Sequence, residues 1–209
     1  TIYKSFRLVK LIQDLESCDL VDEILIIEDA PDIGLLDNID FIKTKVFPFT
    51  ERRYCNGGWN FGIKQVKNYY YALCSDDINF DLTIIEDVLH FYKLRPNSGF
   101  IGMDTSQYET NVSPHYFGFQ KNNNEFVWGW GTLIFNHVDN NVFIPDDLKQ
   151  WCGDLYYLAY SKYPNYNYFG PKIYTEMATS THQNGNFASL EIEQICKQDQ
   201  IIFEEKYKK

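Results

Sequence analysis

The chain has 209 residues, 44% of them hydrophobic and 17% aromatic, which suits one domain with a full core and excludes a disordered chain. Lys and Arg number 19 against 29 Asp and Glu, a formal charge of −10 that repels nucleic-acid phosphates and anionic membrane surfaces, so neither is expected as a partner. No stretch approaches the roughly 20 apolar residues of a bilayer span, and no membrane span is expected.

Thr1-Ile2-Tyr3-Lys4-Ser5 has no basic head before an apolar block, and reads as the end of a first strand rather than a signal peptide. Leu8, Leu11, Ile12 and Leu15 recur at helical spacing, which predicts an amphipathic helix over 6–17. Residues 23–27 form a short β-branched run, the pattern of a buried parallel strand, stopped by Glu28-Asp29-Ala30-Pro31. Residues 41–47 read as the next strand. After Gly57-Gly58, Ile63, Val66 and Tyr70 begin a second helical stripe. A third strand covers 70–74 and ends in Ser75-Asp76-Asp77. Ile84, Ile85, Val88, Leu89 and Tyr92 mark a helix that stops before Arg95-Pro96, and 99–103 is again a strand.

The second half is less regular. Asn122-Asn123-Asn124 reads as a turn between aromatic strands at 116–119 and 125–130. A strand at 132–135, a helix over 154–162, a strand at 172–177 and a final helix from Leu190 into the charged tail complete the pattern. There is no repeat, low-complexity tract or linker. The five cysteines (Cys18, Cys55, Cys74, Cys152 and Cys196) are odd in number and without a CxxC pair. That spacing argues for reduced thiols in a cytoplasmic setting and against structural zinc. Strands alternating with helices imply an α/β fold with a mostly parallel central sheet flanked by helices, and the later hairpin adds an antiparallel part.

In such sheets ligands gather at the carboxyl ends of the strands. Two of those ends carry acids, Asp29 and the pair Asp76-Asp77. A hard divalent ion takes one or two carboxylates together with phosphate oxygens and water, and on an acidic chain it is what lets a diphosphate bind. Between the two ends, Arg52-Arg53-Tyr54-Cys55-Asn56-Gly57-Gly58-Trp59-Asn60-Phe61-Gly62 mixes guanidinium forks suited to a phosphate or base edge with glycines that allow close approach. Plainer readings stand beside these. Asp after a strand suits a turn, Asp77 or Asp81 would cap the helix through Ile84, and the polar segment would serve as a surface loop.

Taken in order, these motifs resemble those of the inverting glycosyltransferases of GT-A fold, in the broad family-two-like group. Thr1-Ile2-Tyr3-Lys4 resembles the tail of the opening strand, and Ile26-Ile27-Glu28-Asp29 the nucleoside-binding strand end. Asn60-Phe61-Gly62-Ile63 resembles the Asn-x-Gly helix start, and Leu73-Cys74-Ser75-Asp76-Asp77-Ile78 the DxD-type metal motif. Trp128-Gly129-Trp130-Gly131 resembles the acceptor-side strand, and Trp151-Cys152-Gly153-Asp154-Leu155 the segment carrying the catalytic base.

The resemblance implies a nucleotide-diphosphate sugar donor, commonly UDP-linked, a glycan or glycoprotein acceptor, and Mn2+ or Mg2+ as cofactor. It implies a single domain with a nucleotide-binding half (1–104) and an acceptor-side half (105–209). Asp154 would be the base, Asp77 the metal ligand with His182, and Thr1, Tyr3, Asp29, Arg53, Asn60 and Asp76 would surround the nucleotide. Trp128, Trp130 and Tyr116 would floor the acceptor site, or simply pack in the core. The chain departs from the pattern at Ser75-Asp76-Asp77, which replaces Asp-x-Asp and leaves open which acid meets the metal. It departs again at Gly153-Asp154, where many members have Glu-Asp, and Asp146-Asp147 competes for the base role. Two other classes remain: a sugar nucleotidyltransferase, which would normally carry a basic Gly-rich loop near its start, and a non-catalytic carbohydrate-binding domain, usually all-β.

Overall fold

The computed structural model describes residues 7–29, 40–103, 118–123, 130–169, 173–175, 182–183, 186–187 and 189–209. Helix α1 (Arg7–Glu16) buries Leu8, Leu11 and Ile12, the stripe set by its helical spacing. Leu8 and Ile12 pack with Ile24 and Ile26 of β1 (Ile24–Glu28). Strand β1 runs parallel to β2 (Thr44–Pro48), with Ile24 opposite Thr44 and Glu28 opposite Pro48.

Helix α2 (Tyr54–Gln65) runs straight through Gly57, Gly58 and Gly62 and ends before Val66, so the stripe expected from Ile63 onward is in fact the end of a helix. Its start is set from a distance. Asp29 accepts the amides of Arg53 (2.7 Å) and Tyr54 (2.8 Å), Gln150 Oε1 accepts Cys55 N (3.2 Å), and Lys149 O accepts Asn56 N (3.0 Å). The amides that a helix start leaves without intrahelical partners are thus satisfied by remote residues, which offsets the poor helix propensity of the glycines.

Strand β3 (Tyr70–Cys74) is followed by β4 (Ile78–Phe80), α3 (Thr83–Leu94), β5 (Ile101–Met103), β6 (Gly118–Lys121) and β7 (Leu133–His137). Then come α4 (Gly153–Tyr160), β8 (Tyr166–Phe169), β9 (Ile173–Thr175), β10 (His182–Gln183), β11 (Asn186–Phe187) and α5 (Leu190–Ile202), which runs into a π turn at Phe203–Tyr207.

The central sheet has the order β3-β7-β5-β8-β6. Strand β7 is antiparallel to β3 and β5, β5 is parallel to β8, and β6 is antiparallel to β8. The sheet is therefore mixed and not mostly parallel. All of β7 is buried, and a strand covered on both faces reads as one apolar run whichever way it points. Strand β6 pairs with β8, Gly118 opposite Phe169, and is not seen as one arm of a local hairpin; residues 124–129 lie outside the described residues.

Helices cover both faces. Leu133 and Phe135 join Ile84, Val88 and Phe91 of α3 on one side. Ile134 joins Ile63, Phe100, Trp130 and Tyr157 on the other. Trp130 is fully buried and its indole N–H donates to Asn167 Oδ1 at 2.9 Å. A Cβ on Gly102 would stand 2.4 Å from the Trp130 ring. Gly102→Ala is expected to destabilise by about 3 kcal/mol and lower Tm by about 6–12 °C in thermal denaturation. An unchanged Tm would show that the ring can move aside. Among the described residues no helix is long and apolar enough to cross a membrane.

Candidate active site

A cavity of about 1050 Å³ runs between β1 and β3. Leu8, Ile12, Ile24, Val66 and Leu89 line its apolar part. Its polar part is lined by Asp29, Asp76, Asp77 and Asp154 with Arg52 and Gln150. The acids after two separate strands do share one pocket, joined there by a fourth acid, from α4. Their convergence is felt at Cys55, whose thiol is pushed up to about 12 by burial first and also by Asp154, Asp76 and Asp29.

Each acid is held differently. Both oxygens of Asp29 accept the α2 amides given above, so it anchors that helix; a carboxylate has further lone pairs for a ligand hydroxyl. Asp76 and Asp77 follow β3, where Ser75 N donates to Thr132 O at 2.8 Å and continues the β3–β7 ladder. Asp77 is buried and Asp76 half-buried. Burial, and then Asp77 and Asp76, raise the nearby Cys74 thiol. The N-cap position of α3 is Leu82, and just before it Asp81 Oδ1 accepts Thr83 N (3.0 Å) and Thr83 Oγ1 (2.9 Å), so Asp77 does not occupy the cap.

Asp154 is the second residue of α4. Its Oδ1 accepts Leu155 N at 2.8 Å, and its Oδ2 faces Gly131, 3.6 Å from where a Cβ would stand. It lines the cavity, half-buried, and desolvation there raises its pKa above the ordinary carboxylate range. Asp147 is instead tied to the tail by Lys206 Nζ (2.8 Å) and Tyr207 Oη (2.9 Å), and neither it nor Asp146 lines the cavity.

No protein-family model matches the sequence, and no curated protein matches it. Solved structures do match its shape, among them the following two. The crystal structure of GalNAc-T7 with UDP, GalNAc and Mn2+ superposes with a TM-score of 0.57 at 10% identity, over 88% of this chain and 41% of that one. The structure of S. aureus TarS, its first 349 residues with UDP-GlcNAc, gives 0.58 at 12% identity, over 96% and 71%. The fold is GT-A. At these identities the likeness is one of fold, and the chain spans less than half of the GalNAc-T7 chain.

Carboxylate oxygens are the donor type that a hard cation takes. Among the described residues no group of three or more His, Cys, Asp or Glu gathers to hold an ion unaided. The adjacent carboxylates of Asp76 and Asp77 would be the residues to hold such an ion, as one or two oxygen donors beside phosphates and water.

Several expected site residues are placed otherwise. Asn60 does not line the cavity: it is buried, donates to Ile144 O (2.7 Å) and accepts Ile144 N (2.9 Å), so both polar ends are consumed in holding a loop. Arg53 stacks on Phe49, 3.8 Å from the ring centroid, and on Phe61, while Arg52 lines the cavity and lies 5.0 Å from the Tyr54 ring. Trp130 is core and cannot floor an acceptor site. His182 lies in β10, but its side chain, like Thr1, Tyr3, Tyr116 and Trp128, is outside the described residues.

Gln150 lines the pocket although nothing in the sequence points to it. Gln150 is there because its side chain caps α2, a pairing across 95 positions that carries no local signal.

Proposed function

We propose that the protein is a glycosyltransferase that moves a hexose or deoxyhexose from a nucleotide-diphosphate sugar, UDP-linked, to a hydroxyl of a glycan or glycoprotein, with inversion. The observation that carries this reading is the meeting of Asp29, Asp76, Asp77 and Asp154 in one cavity although they come from β1, β3 and α4. The fold is shared with proteins whose crystal structures hold UDP or UDP-GlcNAc. An all-β sugar-binding module does not have this architecture.

In this reading residues 1–104 carry the donor side and 105–209 the acceptor side. The acceptor oxygen attacks the anomeric carbon, the bond from that carbon to the diphosphate breaks, and the hydroxyl proton passes to Asp154. Burial raises the basicity of that carboxylate and suits it to the transfer. Asp76 and Asp29 meet the ribose and base, and Arg52 faces the phosphates. Mn2+ or Mg2+ bound through Asp77 would neutralise charge on the departing diphosphate. His182, Thr1 and Tyr3 keep the metal and nucleotide roles that the family resemblance gives them. The motif order also resembles, more loosely, the glycosyltransferase domain of a chlorella-virus protein that decorates a capsid glycan, which makes such a glycan an acceptor to include in assays.

The test is a thermal-shift panel of nucleotide diphosphates with and without Mn2+. UDP at about a hundred times its Kd is expected to raise Tm by about 5–11 °C in the presence of Mn2+. Asp77→Asn should abolish the Mn2+-dependent part. A panel in which no nucleotide moves Tm overturns the reading. Pyrophosphate release from a nucleoside triphosphate and a sugar phosphate would replace it with a nucleotidyltransferase.

A further inference from the structure

We propose that Asp199 of α5 is a positioning residue for Asp154, an inference that rests on the transferase reading above. Asp199 is only 2% exposed and does not line the cavity. Its carboxylate accepts successive backbone amides of one loop: Lys149 N at 3.1 Å to each oxygen, Gln150 N at 2.7 Å and Trp151 N at 2.7 Å. Charge-assisted bonds to amides are about twice as strong as neutral ones, and a carboxylate held by several of them fixes the backbone that supplies them.

Helix α5 itself gains nothing from this acid. Burying a carboxylate is costly unless its bonds are made, and the side-chain bonds of Asp199 go to residues 149–151 and not to α5. The return comes from the loop.

The same loop is gripped from the other side. Asn56 Nδ2 donates to Leu148 O (3.1 Å) and Trp151 O (2.9 Å), Asn56 N donates to Lys149 O (3.0 Å), and Gln150 Oε1 accepts Cys55 N (3.2 Å). Residues 148–151 are thus clamped between α2 and α5. They lead at once into Cys152, in the left-handed region at φ 60°, and Gly153, where a Cβ would stand 2.2 Å from Asn56 Oδ1. No slack separates the clamp from Asp154. A base displaced by about 1 Å forfeits about a hundredfold in rate.

The experiment compares wild type, Asp199→Asn and Asp199→Glu in the full chain. Asn turns an amide donor toward the loop amides, and Glu keeps the charge but pushes the loop outward by a methylene. Sugar-transfer kcat, donor KM, the UDP-induced Tm shift and the pH profile of kcat are measured. The expected result is a fall in kcat of at least tenfold in each folded variant, with donor KM and the UDP shift within twofold of wild type. The acid limb of the profile should also move to lower pH as water reaches Asp154. A merely structural role would scale the profile without moving it, and that result, or a kcat within tenfold, overturns the proposal. If neither variant folds, the residue is a folding determinant and the proposal falls. An active wild type matched by the Asp199 variants sinks positioning alone. A wild type with no transfer activity, indistinguishable from Asp154→Asn, sinks the transferase reading and this inference with it.

Discussion

Replacing Asp154 by Asn is expected to lower the transfer rate by about 10²–10⁴-fold, the usual worth of a positioned general base, while leaving the folded protein more resistant to heat. The amide keeps the shape and the acceptor for Leu155 N, so α4 should start as before. What changes is the charge. Burial holds the folded pKa of Asp154 above its unfolded value, so the folded chain binds this proton more tightly than the unfolded chain. Ionisation therefore costs stability at pH values above the raised pKa, and the cost fades as pH falls through it. The Tm advantage of Asp154→Asn should accordingly be largest near neutrality and vanish in acid. In wild type, the transfer rate should fall as pH drops through the same raised pKa, above the usual carboxylate range. Sugar transfer and thermal denaturation across pH check both. Near-normal turnover by a folded Asp154→Asn chain removes the residue from the chemistry.

Gly153→Ala carries the second large effect, on stability and activity together. The added Cβ would stand 2.2 Å from Asn56 Oδ1 and 2.8 Å from Ile144 Cδ1. The isoleucine methyl can rotate away. Asn56 cannot, because turning it breaks its bonds to Leu148 O and Trp151 O in a site only 1% exposed. Overpacking and two lost buried hydrogen bonds together are expected to cost about 3–5 kcal/mol, or about 6–20 °C in Tm. Because the strain falls one residue before Asp154, kcat should drop at temperatures where the variant is still folded. A variant with wild-type Tm would mean that α4 can slide away from α2.

The parts legible in the sequence are those whose causes are local. Leu8, Leu11 and Ile12 set α1 by spacing, and Tyr70–Cys74 is the strand that its run of residues and its acidic stop announce. The acids at Asp29 and Asp76-Asp77 do line one pocket, as strand-end acids of an α/β fold suggest, although β1 pairs with β2 and β3 pairs antiparallel with β7 in a separate sheet. The parts not legible have remote causes. The start of α2 depends on Asp29, Lys149 and Gln150, so its glycines suggested a loop. The direction of β7 is invisible in a run buried throughout. Neighbouring residues of one type divided their duties by helix phase and cap geometry: Arg52 faces the cavity while Arg53 stacks on rings, and Asn56 clamps the 148–151 loop while Asn60 holds Ile144.

The mixed sheet has a consequence for how the chain assembles. Among the described residues, 70–74 find their ladder partner at 133–137, 101–102 at 134–135, and 101–103 at 166–168. A ribosome making this protein must therefore release the chain through residue 168 before these ladders can all close, and such non-local pairing slows folding. Until then apolar strand edges are bare, so yield during synthesis should depend more on temperature and chaperone supply than on the stability of the finished molecule.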